Sequence, residues 1–283
     1  MVITESLAKG LRADFWQYLE SENEKLLARV SRAASTPAGD LTNTKRANQF
    51  FRNLDSAASS QVVLHKEITG RRQHAVWWSI YLAEDENHRL DTWNERALRF
   101  ECDRVSAYPQ HWKPTWLTTI IGEHCVARLF QRLPWSDVPS PKDVFPELRE
   151  LAKLIVWYQA VDNVITETNP GLALSAFIPT TNGAFLGIHN PLDAGIMELR
   201  TFIGKHQMTD GQLSLWDALR NASKLSALDD HLGQRLRTEP GASTPALVSC
   251  AEAIVAMTNA LIAHRHLLSV EAIQEQLRLE LVF

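Results

Sequence analysis

Glycine and proline are scarce in this chain of 283 residues, which holds 12 of each. Average globular proteins contain roughly 12% of the two types together, so the scarcity argues against a turn-rich β-sandwich or barrel. The three cysteines lie far apart without a CxxC pair, which is typical of a reducing compartment. No long apolar run and no signal-peptide segment are present. We therefore expect a soluble, cytoplasmic protein with no membrane partner.

Strong charge and the common catalytic motifs are also lacking. The chain has 29 basic and 33 acidic side chains and a formal charge of −4, so we expect no nucleic-acid partner. Glycine-rich phosphate loops, the GxSxG nucleophile elbow and HExxH do not occur. The run from Glu84 to His88 has no matching Glu-x-x-His for a di-iron bundle. Glu123 and His124 are adjacent, and on a helix they would point about 100° apart.

What the sequence does contain is apolar spacing of the helical type. This spacing predicts helices over residues 4–33, 44–68, 72–105, 115–132, 143–167, 192–205, 210–237 and 245–279. Residues 169–191 are the exception, because this apolar stretch of 23 residues contains six of the glycines and prolines. A long apolar loop is uncommon unless it is functional. We expect one all-α domain with a functional loop at 169–191.

The last predicted helix carries a histidine within an apolar stripe. Val255, Ile262, His266 and Val270 fall on one face at helical spacing. A lone histidine in such a stripe is ordinarily a core residue bonded to a backbone carbonyl. A haem also needs one imidazole that projects into an apolar cavity. From the residues alone, both interpretations stay open.

Two segments resemble the histidine-ligated haem-dependent aromatic oxygenases. The string HLLSVE, from His266 to Glu271, resembles the helix that carries the proximal ligand in that superfamily. Residues 169–191, followed by Met197-Glu198 and Gly204, are similar to the segment that closes over the haem. Beyond the ligand helix the chain has no Gly/Ser-rich substrate segment. In this respect it looks more like the haem-dependent tyrosine hydroxylases than like tryptophan 2,3-dioxygenase.

The resemblance implies a single all-α domain of the tryptophan 2,3-dioxygenase type. Its parts would be distal-side helices over 1–133, a connector and helix over 134–168, a lid loop over 169–191 and proximal-side helices over 192–283. The implied cofactor is haem b. The implied activity is a monooxygenase or peroxygenase of natural-product biosynthesis that hydroxylates L-tyrosine at the 3-position with hydrogen peroxide or dioxygen. A homodimer is common in the superfamily. The alternatives are an indole or tryptophan 2,3-dioxygenase and a non-enzymatic helical binding or scaffold protein.

Under this hypothesis three residues surround the cofactor. His266 binds the iron, because a helix holds an imidazole in fixed geometry better than a loop does. His189, in the lid loop, is its rival for the same role. Phe185 lies against the haem in this scheme.

Four further residues serve the substrate side. His88 acts as the distal acid–base group, and Arg89 binds the substrate carboxylate. Trp93 forms a wall of the aromatic site, and Asn190 contacts the substrate. Each also has an ordinary explanation: a helix-paired histidine, a solvated arginine, a core ring and a cap before a proline.

Overall fold

A seven-stranded mixed sheet lies at the centre of the protein in a computed structural model. The structure describes residues 2–35, 49, 52–53, 63–69, 74–84, 96–107, 110–169, 174–189, 197–224, 245–269 and 272. The strands are β1 (Val63–Thr69), β2 (His74–Glu84), β3 (Ala97–Ala107), β4 (Gln110–Gly122), β5 (Ala176–Pro179), β6 (Gly183–His189) and β7 (Met197–Gly204). Their order across the sheet is β1-β2-β3-β4-β7-β6-β5.

The sheet consists of two antiparallel meanders joined by one parallel pair. The first four strands pair in chain order, and so do the last three. β4 and β7 pair in parallel over three positions, at which Thr119, Ile120 and Ile121 face Met197, Glu198 and Leu199. This short parallel ladder makes one sheet of the two meanders.

Five helices accompany the sheet within the described part of the chain. They are α1 (Glu5–Ser35), α2 (Glu123–Arg132), α3 (Phe145–Thr168), α4 (Asp210–Lys224) and α5 (Pro245–Ala263). α1 packs on α2, α2 packs on β7, and α5 packs on both α3 and α4. Among the described residues, no helix is long and apolar enough to cross a membrane.

Aromatic rings join the first three helices. Phe15 of α1 is fully buried, and its ring centroid lies 6.3 Å from that of Phe130 in α2 and 5.5 Å from that of Phe145 in α3. Trp16 packs edge-on against Phe15 at 5.7 Å. Each such ring contributes roughly 1.5–3 kcal/mol when it is fully buried. The cluster therefore fixes α1 against the two helices that follow the first meander.

The expectation of an all-α domain is wrong. β1 occupies the end of the predicted helix 44–68, and β2 and β3 occupy 72–105. β4 occupies the start of 115–132, and β7 occupies 192–205. Most of the predicted lid loop is the β5–β6 hairpin. The physical reason is that a step of four residues, such as Val76 to Ile80, also fits the two-residue period of a strand. Aromatic and β-branched residues in β2 then favour the strand.

Two of the predicted helices are confirmed over almost their whole length. α1 and α3 match the predicted ranges 4–33 and 143–167 closely. The helices predicted over 210–237 and 245–279 begin where expected, as α4 and α5.

Gly183 provides a test of the packing between β6 and β7. A Cβ atom at this position would lie 2.2 Å from the carbonyl oxygen of Ile203 and 2.4 Å from the Phe202 ring. Since a backbone atom cannot move aside cheaply, we expect Gly183→Ala to lower the free energy of unfolding by about 3 kcal/mol. Urea unfolding followed by circular dichroism measures this change.

Gly10 supplies the matched control. A Cβ atom at Gly10, inside α1, would meet no atom within 4 Å. Gly10→Ala should therefore raise the free energy of unfolding by about 1 kcal/mol, through helix propensity alone. If Gly183→Ala left the free energy of unfolding unchanged or raised it, as Gly10→Ala should, the close approach at Gly183 would be contradicted.

Candidate functional site

A polar face of α2 is the best-defined group of chemically active side chains in the described structure. α2 begins directly after β4, with Gly122 as its N-cap. Its apolar side is buried in the core through Cys125, Val126, Ala127, Leu129 and Phe130. The remaining positions are partly exposed: Glu123, His124, Arg128, Gln131 and Arg132. The strand end thus holds one face of the helix at the surface.

His124 and Arg128 lie one helical turn apart and are hydrogen-bonded to each other. The Arg128 Nε atom donates to His124 Nε2 over 3.1 Å, and Arg128 Nη1 donates to Gln131 Oε1. Because Nε2 accepts this bond, the imidazole is neutral and carries its proton on Nδ1. The arrangement places a proton-transfer group beside a guanidinium, which binds anions.

The first turns of α1 lie beside this pair. Arg12 Nη2 is 3.0 Å from Glu123 Oε1, in an ion pair that joins the two helices. The pKa of Glu5 is lowered, mainly by Lys9, and the charge of Arg128 lowers it further. Residues 5–12 and 123–132 contain four basic side chains and two acidic ones, besides His124. This part of the surface is therefore locally positive.

Arg132 ties the end of α2 to the sheet. Its Nη1 atom donates to the carbonyl oxygen of Phe202 in β7 over 2.6 Å. Gly204, at the end of β7, is so close to Arg132 that an added Cβ atom would lie 2.6 Å from the Arg132 carbonyl oxygen. Both ends of α2 are thus fixed by strands, through β4 at the start and β7 at the end.

One cavity lined wholly by described residues lies between α3, β5, β7 and α5. Its volume is about 10 Å³, which is close to the space that one water molecule needs. Tyr158, Asp162 and Ser175 supply its polar groups. Burial raises the pKa of Tyr158, whose hydroxyl donates to the Phe177 carbonyl oxygen. A cavity of this size holds a water molecule and not an aromatic substrate.

The structure places His266 differently from the expected apolar stripe. α5 ends at Ala263, and His266 lies in the 3₁₀ turn Arg265–Leu267, where it is exposed. Val255, on the same predicted stripe, is 53% exposed. The buried face of this segment is instead formed by Ala253, Met257, Leu261 and Leu268.

Among the other predicted site residues, the structure describes the side chain of Phe185 alone. Phe185 is fully buried in β6 and packs edge-on against Phe202, with ring centroids 5.1 Å apart. For His189 the structure describes only the backbone, which pairs with Met197. The remaining predicted residues lie outside the described residues: His88, Arg89, Trp93 and Asn190.

The described residues do not fit a haem at His266. The side chain is exposed, and the buried Phe185 ring is occupied by its contact with Phe202. No three His, Cys, Asp or Glu side chains gather as metal ligands in the described ranges. Haem binding and tyrosine hydroxylation stay predictions of the sequence.

No family model, curated protein or solved structure matches the chain. The functional interpretation consequently depends on the geometry of α2. The sequence did contain a signal for it, since His124 and Arg128 are four residues apart in a partly apolar segment. That signal was missed because β4 was assigned to the same helix and Glu123-His124 was considered only as a metal-ligand pair.

The tautomer of His124 tests the hydrogen bond at the centre of the site. We expect its ring nitrogen chemical shifts to show Nδ1 protonated and Nε2 unprotonated at neutral pH, because Arg128 donates to Nε2. In the Arg128→Ala variant this preference should weaken. Long-range ¹H–¹⁵N NMR spectra measure both, and His206, which is exposed on a 3₁₀ turn, is the internal control. A protonated Nε2 in the unaltered protein would contradict the geometry.

An absorption spectrum tests the haem prediction independently. If the prediction holds, protein purified from haem-replete cells shows a Soret band, and His266→Ala loses it. A colourless protein, or a His266→Ala variant with unchanged haem content, would rule out His266 as the iron ligand.

Proposed function

We propose that the chain cleaves a phosphate ester at the polar face of α2. In this proposal Arg128 binds the phosphoryl oxygens and His124 transfers a proton. The observation that supports it is the hydrogen bond from Arg128 Nε to His124 Nε2. It joins the two groups that such a reaction needs, a neutral imidazole and an anion-binding guanidinium.

Substrate binding would also activate the histidine. In the free protein, the lone pair of Nε2 is occupied by the Arg128 hydrogen bond. When a phosphoryl oxygen of the substrate accepts the hydrogen bond of Arg128 Nε–H in place of His124, the lone pair of Nε2 becomes available. Nε2 can then accept a proton. The bound anion therefore turns the imidazole into a general base at the place where the proton is removed.

A phosphodiester with a neighbouring hydroxyl, as in RNA, suits this pair of groups. The ribose 2′-oxygen attacks phosphorus, its proton passes to His124, and the bond from phosphorus to the 5′-oxygen breaks. The leaving oxygen takes up a proton from water, and protonated His124 returns its proton to the hydroxide so formed. The products are a cyclic phosphate and a 5′-hydroxyl. Since the nucleophile belongs to the substrate, one acid–base group and one anion-binding group begin the reaction.

The small negative charge of the whole chain does not oppose this proposal. Net charge governs long-range attraction. The binding of one phosphate depends instead on the charges within one Debye length, which is about 8 Å at physiological ionic strength. The surface formed by residues 5–12 and 123–132 has two more basic side chains than acidic ones. Arg12, Arg128 and Arg132 supply three of its four basic groups.

Substitution of the two central residues tests the proposal. With a fluorophore–quencher oligoribonucleotide as the substrate, we expect His124→Gln to lower kcat/KM by about 10²–10⁴-fold, as for the loss of an acid–base group. Arg128→Ala should lower it by about 10²–10³-fold, as for the loss of a charge-stabilising donor. Initial cleavage rates measure both effects.

Two controls accompany this experiment. His206→Gln changes an exposed histidine on the 3₁₀ turn after β7 and should leave the rate unchanged. The matching oligodeoxyribonucleotide lacks the 2′-hydroxyl and should not be cleaved. The proposal is overturned if no oligoribonucleotide is cleaved by the unaltered protein, or if His124→Gln cleaves at the full rate.

A further inference from the structure

A serine and a histidine from two neighbouring helices are hydrogen-bonded at the surface. Ser214 lies in the second turn of α4, and His264 directly follows the end of α5. The Ser214 Oγ atom and the His264 Nε2 atom are 3.4 Å apart. Because α4 packs against α5, side chains that are 50 residues apart in the sequence meet here.

The second ring nitrogen of His264 sets the direction of this hydrogen bond. Its Nδ1 atom lies 2.9 Å from the carbonyl oxygen of Ala260. Since a carbonyl oxygen only accepts hydrogen bonds, Nδ1 carries the proton. In the neutral ring Nε2 then has a free lone pair, and the Ser214 hydroxyl donates to it. A base within hydrogen-bond reach of a hydroxyl group is the arrangement that activates a serine nucleophile.

The carbonyl group of Ala260 orients the histidine. Its oxygen accepts the Nδ1 proton and also the backbone N–H of His264, over 3.2 Å. Ala260 belongs to the last turn of α5, where the negative end of the helix dipole lies. That negative end stabilises the positive charge that His264 acquires when it takes a proton. The helix end thus provides what a carboxylate provides in the catalytic triad of serine hydrolases.

An apolar contact holds the two helix ends together beside the pair. Leu267 lies against Gly211, so that a Cβ atom added to Gly211 would be 3.3 Å from Leu267 Cδ1. Gly211 precedes Ser214 by three residues and therefore lies on the same face of α4. The Leu267 N–H donates to the His264 carbonyl oxygen over 2.9 Å. Leu267 is only half-buried, so it also offers an apolar surface next to the serine.

The pair is accessible to a substrate. Ser214 is exposed and His264 is half-buried. Burial therefore does not require this hydrogen bond, because an exposed hydroxyl group can bond to water instead. The distance of 3.4 Å between Oγ and Nε2 is long for a reacting pair, and catalytic hydrogen bonds commonly shorten only when a substrate binds.

We propose that Ser214 and His264 form a second catalytic site, which hydrolyses carboxylic esters through an acyl-serine. Ser214 Oγ attacks the carbonyl carbon of the ester, and its proton passes to His264 Nε2. The bond from this carbon to the alcohol oxygen breaks, and the alcohol leaves with the proton from His264. Water then attacks the acyl carbon and gives a proton to His264. The bond to Oγ breaks, Oγ takes that proton back, and a carboxylic acid is released.

A fluorophosphonate probe tests the nucleophile. The Ser214 oxygen displaces fluoride from the phosphorus of the probe, so we expect about one label per chain. Mass spectrometry should locate it on the tryptic peptide of residues 206–220, in which Ser214 is the only serine. Ser214→Ala should carry no label. With p-nitrophenyl acetate, the unaltered protein should release an initial burst of about one nitrophenol per chain, as expected for an acyl-enzyme.

A histidine variant separates the base from the structural contact. The amide of His264→Asn can still donate to the Ala260 carbonyl oxygen but offers no Nε2, so the labelling rate should fall by about 10²–10⁴-fold. Ser136→Ala and His206→Gln change an exposed serine and an exposed histidine elsewhere and should label at the full rate. The proposal is overturned if Ser214 of the unaltered protein takes no label, or if His264→Asn labels as fast as the unaltered protein.

Discussion

The parallel ladder between β4 and β7 is the constraint on which the rest of the structure depends. It contains only three paired positions, yet it joins strands that are separated along the chain by two helices and by β5 and β6. Such a non-local pairing requires the closure of a long stretch of chain before it gains any hydrogen bond. α2 lies directly on this junction, since it starts where β4 ends and packs on β7. The ladder thereby sets the position of His124 and Arg128.

How far the sequence could predict this fold depends on the period of each element. α1 and α3 have long apolar stripes, and their central turns contain no proline and no glycine other than Gly10 in α1. Both helices were therefore predicted from the sequence. β2 and β7 were assigned to helices because steps of four residues agree with both periods. β7 is buried at all eight positions, although Met197, Glu198, Leu199 and Arg200 alternate between apolar and charged side chains as in a half-exposed strand. Four residues are a short stretch from which to tell a strand from a helix by periodicity.

The error at the C-terminal helix has a different cause. α5 is rich in apolar residues on every side, so that several stripes exist and none of them identifies the buried face. The stripe through Val255 and His266 was chosen by helical spacing alone. Met257 and Leu261 are buried instead, in a helix that packs against α3 and α4. A resemblance carried by short strings cannot decide between faces of such a helix.

One part of the candidate site could be predicted from the local sequence, and another part depends on tertiary packing. The spacing of His124 and Arg128 is visible in the sequence, and once β4 is recognised as a strand, the pair falls on the first turns of a new helix. The contribution of α1 is not visible there. Arg12 meets Glu123 only because the ring of Phe15, one turn further along α1, is packed between α2 and α3. Hydrophobic packing at one position of α1 therefore sets the charge around the histidine at another. For this reason the local excess of positive charge, on which anion binding at α2 depends, is a property of the fold and not of the composition.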